Sequence, residues 1–217
     1  NDRSGALITE LIDHISTNHT YFGREQDHFQ FLQNVCLPEL CHNKLNSQKN
    51  DINLWSAGCS TGEEPYTLGI ILKEFLKNDS QKWNMKILAT DISTIALSKA
   101  MQGVYDNSKF REFNPEWREK YFKAIDERKF EISAELKSEI IFRRFNLTSV
   151  KYPFKNYLDI IFCRNVLIYF DKEIRMKVLH NMYDTLAQGG YLFIGHAETI
   201  DRTQIKFQYI APSIYKK

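Results

Sequence analysis

Leu54-Trp55-Ser56-Ala57-Gly58-Cys59-Ser60-Thr61-Gly62-Glu63-Glu64-Pro65-Tyr66 runs from apolar residues through two glycines, four apart, into two acids and a proline. Beyond Pro65, Tyr66, Leu68, Ile71, Leu72 and Phe75 recur at helical spacing. The spacing predicts strand, tight loop and helix: the glycines supply backbone shapes a side chain would obstruct, and proline suits a first helical turn. In a parallel α/β sheet such a loop lies at the carboxyl end of its strand, where ligands bind.

The same loop narrows the ligand. It lacks the Gly-x-Gly-x-x-Gly of a dinucleotide site and the Gly-Lys-Ser/Thr of a phosphate loop. Glu63 and Glu64 at the helix start would repel a polyphosphate but suit a cation. A nucleoside carrying positive charge fits, and S-adenosylmethionine, with its amine and sulfonium, is such a ligand.

Composition excludes several classes. The 217 residues can bury one core and a small appendage, and a formal charge of +2 gives no basic field that demands a nucleic acid. No apolar run approaches the roughly 18 residues of a membrane span, and the first residues lack a signal-peptide pattern. Cys36, Cys41, Cys59 and Cys163 form no zinc-type pair and read as reduced thiols, which predicts a cytoplasmic protein. The abrupt Asn-Asp-Arg-Ser-Gly start predicts a piece of a longer chain.

Upstream of the loop, residues 6–17 read as a helix, followed by the polar-aromatic stretch Asn18-His19-Thr20-Tyr21-Phe22-Gly23-Arg24. A second helix is expected over about 25–37, with Phe29, Leu32 and Val35 inward and a stop near Pro38. Thr20 and Arg24 are, on spacing alone, a helix cap and a surface charge. Downstream, Met85-Lys86-Ile87-Leu88-Ala89-Thr90-Asp91 reads as a strand ending in an acid that can accept both hydroxyls of a ribose. The competing job for Asp91 is to cap the next helix, which Ser93 can also do.

Residues 104–150 interrupt the alternation with basic and aromatic residues. Lys129–Ile132 and Glu139–Arg143 are expected to pair as a hairpin, either a solvated flap or a docking edge. Asp159–Cys163 is a buried strand that runs into Arg164-Asn165-Val166-Leu167-Ile168-Tyr169-Phe170. Asp171 is expected to cap a helix reaching about Ala187 and closed by Gly189-Gly190. Strands are expected at Tyr191–Ile194, near 206–210 and near 213–216.

WSAGCSTGEEPY, ATDIS, FCRNVLIYF and GGYLFIGHAE together closely resemble the CheR family of chemotaxis-receptor methyltransferases, in matching order and spacing from Thr20 onward. The resemblance implies a class I, Rossmann-like α/β fold: a seven-stranded sheet with its last strand reversed and a small antiparallel β-subdomain at about 120–146. It implies a residual helical segment and cofactor-closing loop over 1–45 and a methyltransferase domain over 46–217. The implied cofactor is S-adenosyl-L-methionine, with S-adenosyl-L-homocysteine as product, and the implied product on protein is a glutamate γ-methyl ester on the cytoplasmic helices of methyl-accepting receptors. By position, the loop from Ala57 and Gly58 to Gly62 and one or both of Glu63 and Glu64 would hold the methionine end, Asp91 would hold the ribose, and Ile92 would also bind the cofactor. Asn146 and Leu147 would flank the adenine, Cys163, Arg164 and Asn165 would line the cofactor, and Asn18, Thr20 and Arg24 would close over it. Arg24, Arg164 and Tyr169 are the expected catalytic residues.

The chain departs from the family at Gly23, where a second phenylalanine is usual, which implies a looser closing segment. The family's amino-terminal helical domain, whose basic helix meets the receptor, is mostly missing. The β-subdomain is, in some members, a grip for a receptor tail by strand addition. A monomer without a nucleic-acid or metal partner is expected.

A glutamate side chain in water titrates near pH 4.3, at about that value in short peptides, so an acceptor carboxylate is ionised at neutral pH and no general base is required. The histidines are therefore not expected to be catalytic, His196 included. A nucleic-acid amino-methyltransferase would carry a Pro-Pro segment after the fourth strand, where this chain has Cys-Arg-Asn-Val. A methyltransferase acting on another protein or a small-molecule carboxylate, and a non-catalytic scaffold, stay open on the same fold.

Overall fold

The computed structural model describes residues 20–77, 82–154, 157–201 and 203–217. The expected helix at 6–17 and Asn18 lie outside them. The first strand, β1 (Asp51–Ala57), leaves the sequence Leu54–Ala57 fully buried. It delivers the chain through the glycine loop to α3 (Glu63–Phe75), preceded by α1 (Gln26–Phe31) and α2 (Leu37–Asn46). Next come β2 (Asn84–Asp91) and α4 (Thr94–Gln102), then β3 (Val104–Asp106), α5 (Pro115–Tyr121), β4 (Phe122–Ala124) and β5 (Lys129–Ile132). The chain finishes with α6 (Ala134–Ser138), β6 (Ile140–Arg144), β7 (Leu158–Cys163), α7 (Lys172–Thr185), β8 (Leu186–Ile194), β9 (Gln208–Ala211) and β10 (Ile214–Lys216).

Seven strands form one sheet in the order β6-β2-β1-β7-β8-β10-β9, with β10 antiparallel to both neighbours and the five strands from β6 to β8 parallel. The reversed last strand matches the expectation. Helices cover both faces, so β7 is buried along its whole length. One apolar cluster on one face joins Leu54, Phe162 and Phe193 to α1, α2 and α3; the other, around Trp55, Ile161 and Leu192, packs under α7.

Three local readings are corrected. Pro38 does not stop the second helix. A wider turn, Leu32–Cys36, with i→i+5 bonding, sits just before it, and the helix continues to Asn46. Proline lacks the N–H a regular turn would use, and the widened turn absorbs that defect. It also rotates the apolar face, so Cys36 and Leu37 are buried and Val35 is exposed.

The expected hairpin is not formed. β5 pairs with β3 and β4 in a separate three-stranded sheet, whereas β6 joins the edge of the main sheet beside β2. Between them Ser133 caps α6, and α6 buries Leu136 against α3, where a Cβ on Gly69 would stand only 2.9 Å from Leu136 Cδ1. Burying Leu136 swings the chain back to the main sheet.

The helix beginning at Lys172 ends at Thr185, before the two glycines. Gly189 and Gly190 lie within β8 at a four-residue bulge against β7 (Leu158 opposite Leu186, Ile160 opposite Tyr191) and exchange backbone hydrogen bonds with Lys217.

Candidate functional site

The carboxyl ends of the parallel strands stop level with one another. Ala57 is opposite Thr90, Asp91 opposite Arg144, and Cys163 opposite Ile194. Every loop that follows them therefore opens at one edge of the sheet, over β1, the central strand where connections diverge to either side.

The glycine loop is held tightly there. Gly58 (φ +82) and Cys59 both donate their N–H to Thr90 O, at 2.7 and 2.9 Å. A Cβ on Gly58 would come within 2.4 Å of Val166, so the loops after β1 and β7 meet at that point. Asp91 accepts from Ser60 N–H (2.8 Å) through one oxygen and from Ser93 N–H (2.9 Å) through the other. Ser93, not Asp91, caps α4. Two backbone donors fix the plane of the Asp91 carboxylate, and a carboxylate with about four lone-pair directions can also accept ribose hydroxyls.

On the far side, Asn146 folds an Asx turn onto Thr148 (2.9 Å), and buried Leu147 presents its carbonyl to Tyr152. Ile92 is half-buried beside Asp91. Apolar side chains at Leu147 and Ile92 and a fixed carboxylate at Asp91 are, by chemistry, suited to an adenosine.

The charged centre of the site is Arg164. Its guanidinium, 3% exposed, donates to Glu64 Oε2 (3.0 Å), to Glu25 Oε2 through Nε and an Nη (3.1 and 3.0 Å) and to the carbonyl of Arg24, and lies 5.1 Å from the Phe29 ring centroid. Such a fork is held by its neighbours, which makes Arg164 a buried support. Glu64 also accepts from Ser56 Oγ at 2.7 Å. Burial pushes the Glu64 carboxyl up, against the pull of Arg164 and Ser56. Burial acts the same way on Glu25, but there Arg164 and Asn165 outweigh it and hold the group below the ordinary carboxylate range. Glu63 sits apart, fully buried, paired with Lys109 (3.0 Å) and with Thr61 (2.7 Å).

Two acids not singled out in the sequence prove central. Glu25, left-handed at φ +57, bridges Arg164 and Asn165 and receives the His196 N–H at 3.4 Å. Buried Glu198 accepts backbone N–H groups from Gly195 (2.6 Å), Asn165 (3.0 Å) and Ile168 (3.2 Å), locking the loop after β7 to the loop after β8. Burial pushes Glu198 up while these donors pull it down. Nothing in their local sequence marks them, because their partners are remote along the chain.

Glu198 thereby fixes Asn165 (φ +59) and the short turn Leu167–Tyr169, from which the Tyr169 side chain projects into solvent. Cys163 is buried, and burial raises its thiol well above its usual range, so it is a wall and not a nucleophile.

The described part of the closing segment, from Thr20, is anchored at two points. Phe22 donates its N–H to Lys109 O (3.0 Å) and buries its ring among Tyr105, Phe110, Phe113 and Phe122, with centroids 4.8–5.3 Å away. Lys109 Nζ also donates to the Thr20 carbonyl, at 2.6 Å. Gly23 (φ +80) turns the chain from this aromatic nest to Arg24 and Glu25 at the crevice. Thr20 and Arg24 therefore come to the site on one strap, anchored at one end by rings and at the other by Arg164.

A reversed last strand in a seven-stranded sheet, a glycine loop after β1 and an acid at the end of β2 are the layout of a class I S-adenosyl-L-methionine-dependent methyltransferase. Residues 18–215 match the family described as CheR methyltransferase, SAM binding domain. The chain is 44% identical over 210 residues to a chemotaxis protein methyltransferase of Borreliella burgdorferi, covering 97% of this chain and 74% of that one. It is 35% identical to chemotaxis protein methyltransferase 1 of Pseudomonas aeruginosa, covering 95% and 75%. Among solved structures, the N-methyltransferase NodS of Bradyrhizobium japonicum, in complex with S-adenosyl-L-homocysteine, is similar at TM-score 0.45 and 16% identity, covering 92% of this chain and 76% of that one. The chain belongs to the CheR methyltransferase family. Among the described residues no helix is long and apolar enough to cross a membrane.

Proposed function

We propose that this protein transfers the methyl group of S-adenosyl-L-methionine to glutamate carboxylates on the cytoplasmic helices of methyl-accepting chemotaxis receptors, making γ-methyl esters, as a cytoplasmic monomer. The observation that carries the reading is the strap itself: the Arg24 carbonyl and Glu64 both accept from the buried Arg164 guanidinium, which ties the segment bearing Arg24 to the start of α3. The names of the relatives support chemotaxis as the setting.

When bound, the cofactor supplies a methyl group on a cationic sulfur. Asp91 would hold the ribose, Asn146 and Leu147 would flank the base, and Glu64 with the Ala57–Gly62 loop would face the methionine end. Glu25 and Glu64 share the charge of Arg164, which limits their repulsion of an incoming carboxylate. Arg24 is the guanidinium that clamps a carboxylate in two-point fashion. Tyr169, on the turn fixed by Glu198, orients the acceptor from the solvent side. Alignment is the main catalytic resource when the nucleophile is already ionised, and orientation can supply up to roughly 7–11 kcal/mol.

The three-stranded sheet has two edges, β3 and β4, and we read one of them as the seat of a receptor tail. Tritiated methyl transfer to receptor cytoplasmic fragments, with base-released methanol as the readout, tests the function. Labelled methanol from glutamate-containing fragments is expected. Label that is stable to base, or no transfer to any fragment, overturns the glutamate assignment.

A further inference from the structure

We propose that Glu25, His28 and His196 form a site for a borderline divalent cation of the zinc class, clipping the closing segment to the loop after β8. One potential ligand atom from each lies within 4.8 Å of the other two. The methyl-transfer reading uses none of these side chains as a metal ligand, and the proposal does not depend on the acceptor's identity.

His28 is the first pointer. It is fully buried on α1, and neither ring nitrogen makes a hydrogen bond among the described residues. Burying an imidazole in that way is costly, and buried polar groups almost always have a partner. Its Nδ1 stands 3.4 Å from Glu25 Oε2. Two ligand atoms each about 2.0–2.1 Å from a tetrahedral zinc ion are about 3.3–3.4 Å apart, so this pair is already spaced for one ion.

His196 supplies the third side. Its ring meets that of His28 edge to face, with centroids 4.7 Å apart, and its Nε2 lies 3.0 Å from Asp27 Oδ2. An Nε2–H donated to Asp27 leaves Nδ1 as the lone-pair nitrogen, the arrangement in which a carboxylate orients a metal-bound histidine. Glu25 is held differently: Oε2 already accepts two N–H groups of Arg164, and Oε1 accepts from the Asn165 amide and the His196 backbone, so an ion would have to share Oε2 with the guanidinium. The positive Arg164 opposes a second cation, while Glu25, Glu64 and Asp27 offset it. Two imidazoles with one carboxylate favour zinc over calcium or magnesium, which prefer all-oxygen shells. The His196 side chain is 46% exposed, so an ion can enter from solvent.

The test is equilibrium dialysis of the metal-stripped full chain against Zn2+, with visible absorption of the Co2+ form as an independent readout. One ion per chain is expected, with the absorption of tetrahedral Co2+. Because His28 is buried and its variant can fail for want of folding, the exposed His196 carries the test. His196→Ala should weaken Zn2+ binding at least tenfold and abolish the Co2+ signal, and Asp27→Asn should weaken binding by about 10–100-fold. Substoichiometric binding by the wild type, or equal affinity in His196→Ala, overturns the proposal.

Discussion

The strap from Thr20 to Glu25 is fastened twice, by two different kinds of chemistry. At Phe22 the fastening is a ring buried among four others of the aromatic nest, which is non-directional and gains from every area removed from water. Three residues later, Glu25 is held by a guanidinium, an amide and a backbone N–H, each of which demands a direction. The first fastening decides that the strap stays. The second decides where Arg24 is.

The two should therefore fail differently. Phe22→Ala removes the ring at the middle of the nest and should cost about 3–5 kcal/mol of stability in urea unfolding, as buried aromatic truncations do. Its folded fraction should still bind S-adenosyl-L-homocysteine. Arg164→Met keeps the volume but leaves Glu25 and Glu64 facing each other, and should cost about 3 kcal/mol, together with most of the methyl transfer. Adding Glu25→Gln and Glu64→Gln to that variant should return much of the stability and none of the activity. If the triple variant is as active as the wild type, the ionic fastening has no positioning role.

pH sharpens the contrast. Burial opposes the ionised form of Glu25, but Arg164 and Asn165 dominate and lower its folded pKa. A depressed carboxylate contributes stability above its unfolded pKa of about 4.3 and loses it as pH falls through the lower folded value. The stability gap between wild type and Arg164→Met should thus shrink below about pH 4, while the gap for Phe22→Ala stays level across the same range. Parallel curves for the two variants would sink the distinction.

Asp91→Ala tests the other wall of the crevice. Losing a carboxylate fixed by Ser60 and Ser93 should weaken S-adenosyl-L-homocysteine binding by about 1–3 kcal/mol in calorimetry, with little change in the sheet. Equal affinity would remove Asp91 from the ribose.

What the sequence makes legible is whatever is contiguous. The β1–glycine loop–α3 unit can be read because its apolar run, glycines and proline are neighbours, and Asp91 because a strand end places it. Val35 is misplaced by periodicity because a widened turn before Pro38 shifts every later residue on that helix. β6 is misplaced because its partner is β2, some fifty residues upstream, while periodicity reports only local alternation. Glu25 and Glu198 cannot be found from spacing at all. Their meaning lies in Arg164, Asn165 and Ile168, which only the fold brings to them.

The smallest effect concerns Gly23, the hinge between the two fastenings. Its φ of +80 is one that side chains resist, and a Cβ there would lie 3.0 Å from the Glu112 carbonyl oxygen. Gly189 has nearly the same φ, +77, with nothing within 4 Å of the corresponding Cβ. Gly189→Ala therefore measures the left-handed backbone cost alone, expected at about 1 kcal/mol, and Gly23→Ala measures that cost plus the contact. The difference between them in urea unfolding, expected at a few tenths of a kcal/mol or more, is the price of crowding Glu112. Were Gly23→Ala no worse than Gly189→Ala, the strap would have room to shift at its hinge, and the aromatic fastening would not be holding Gly23 against Glu112.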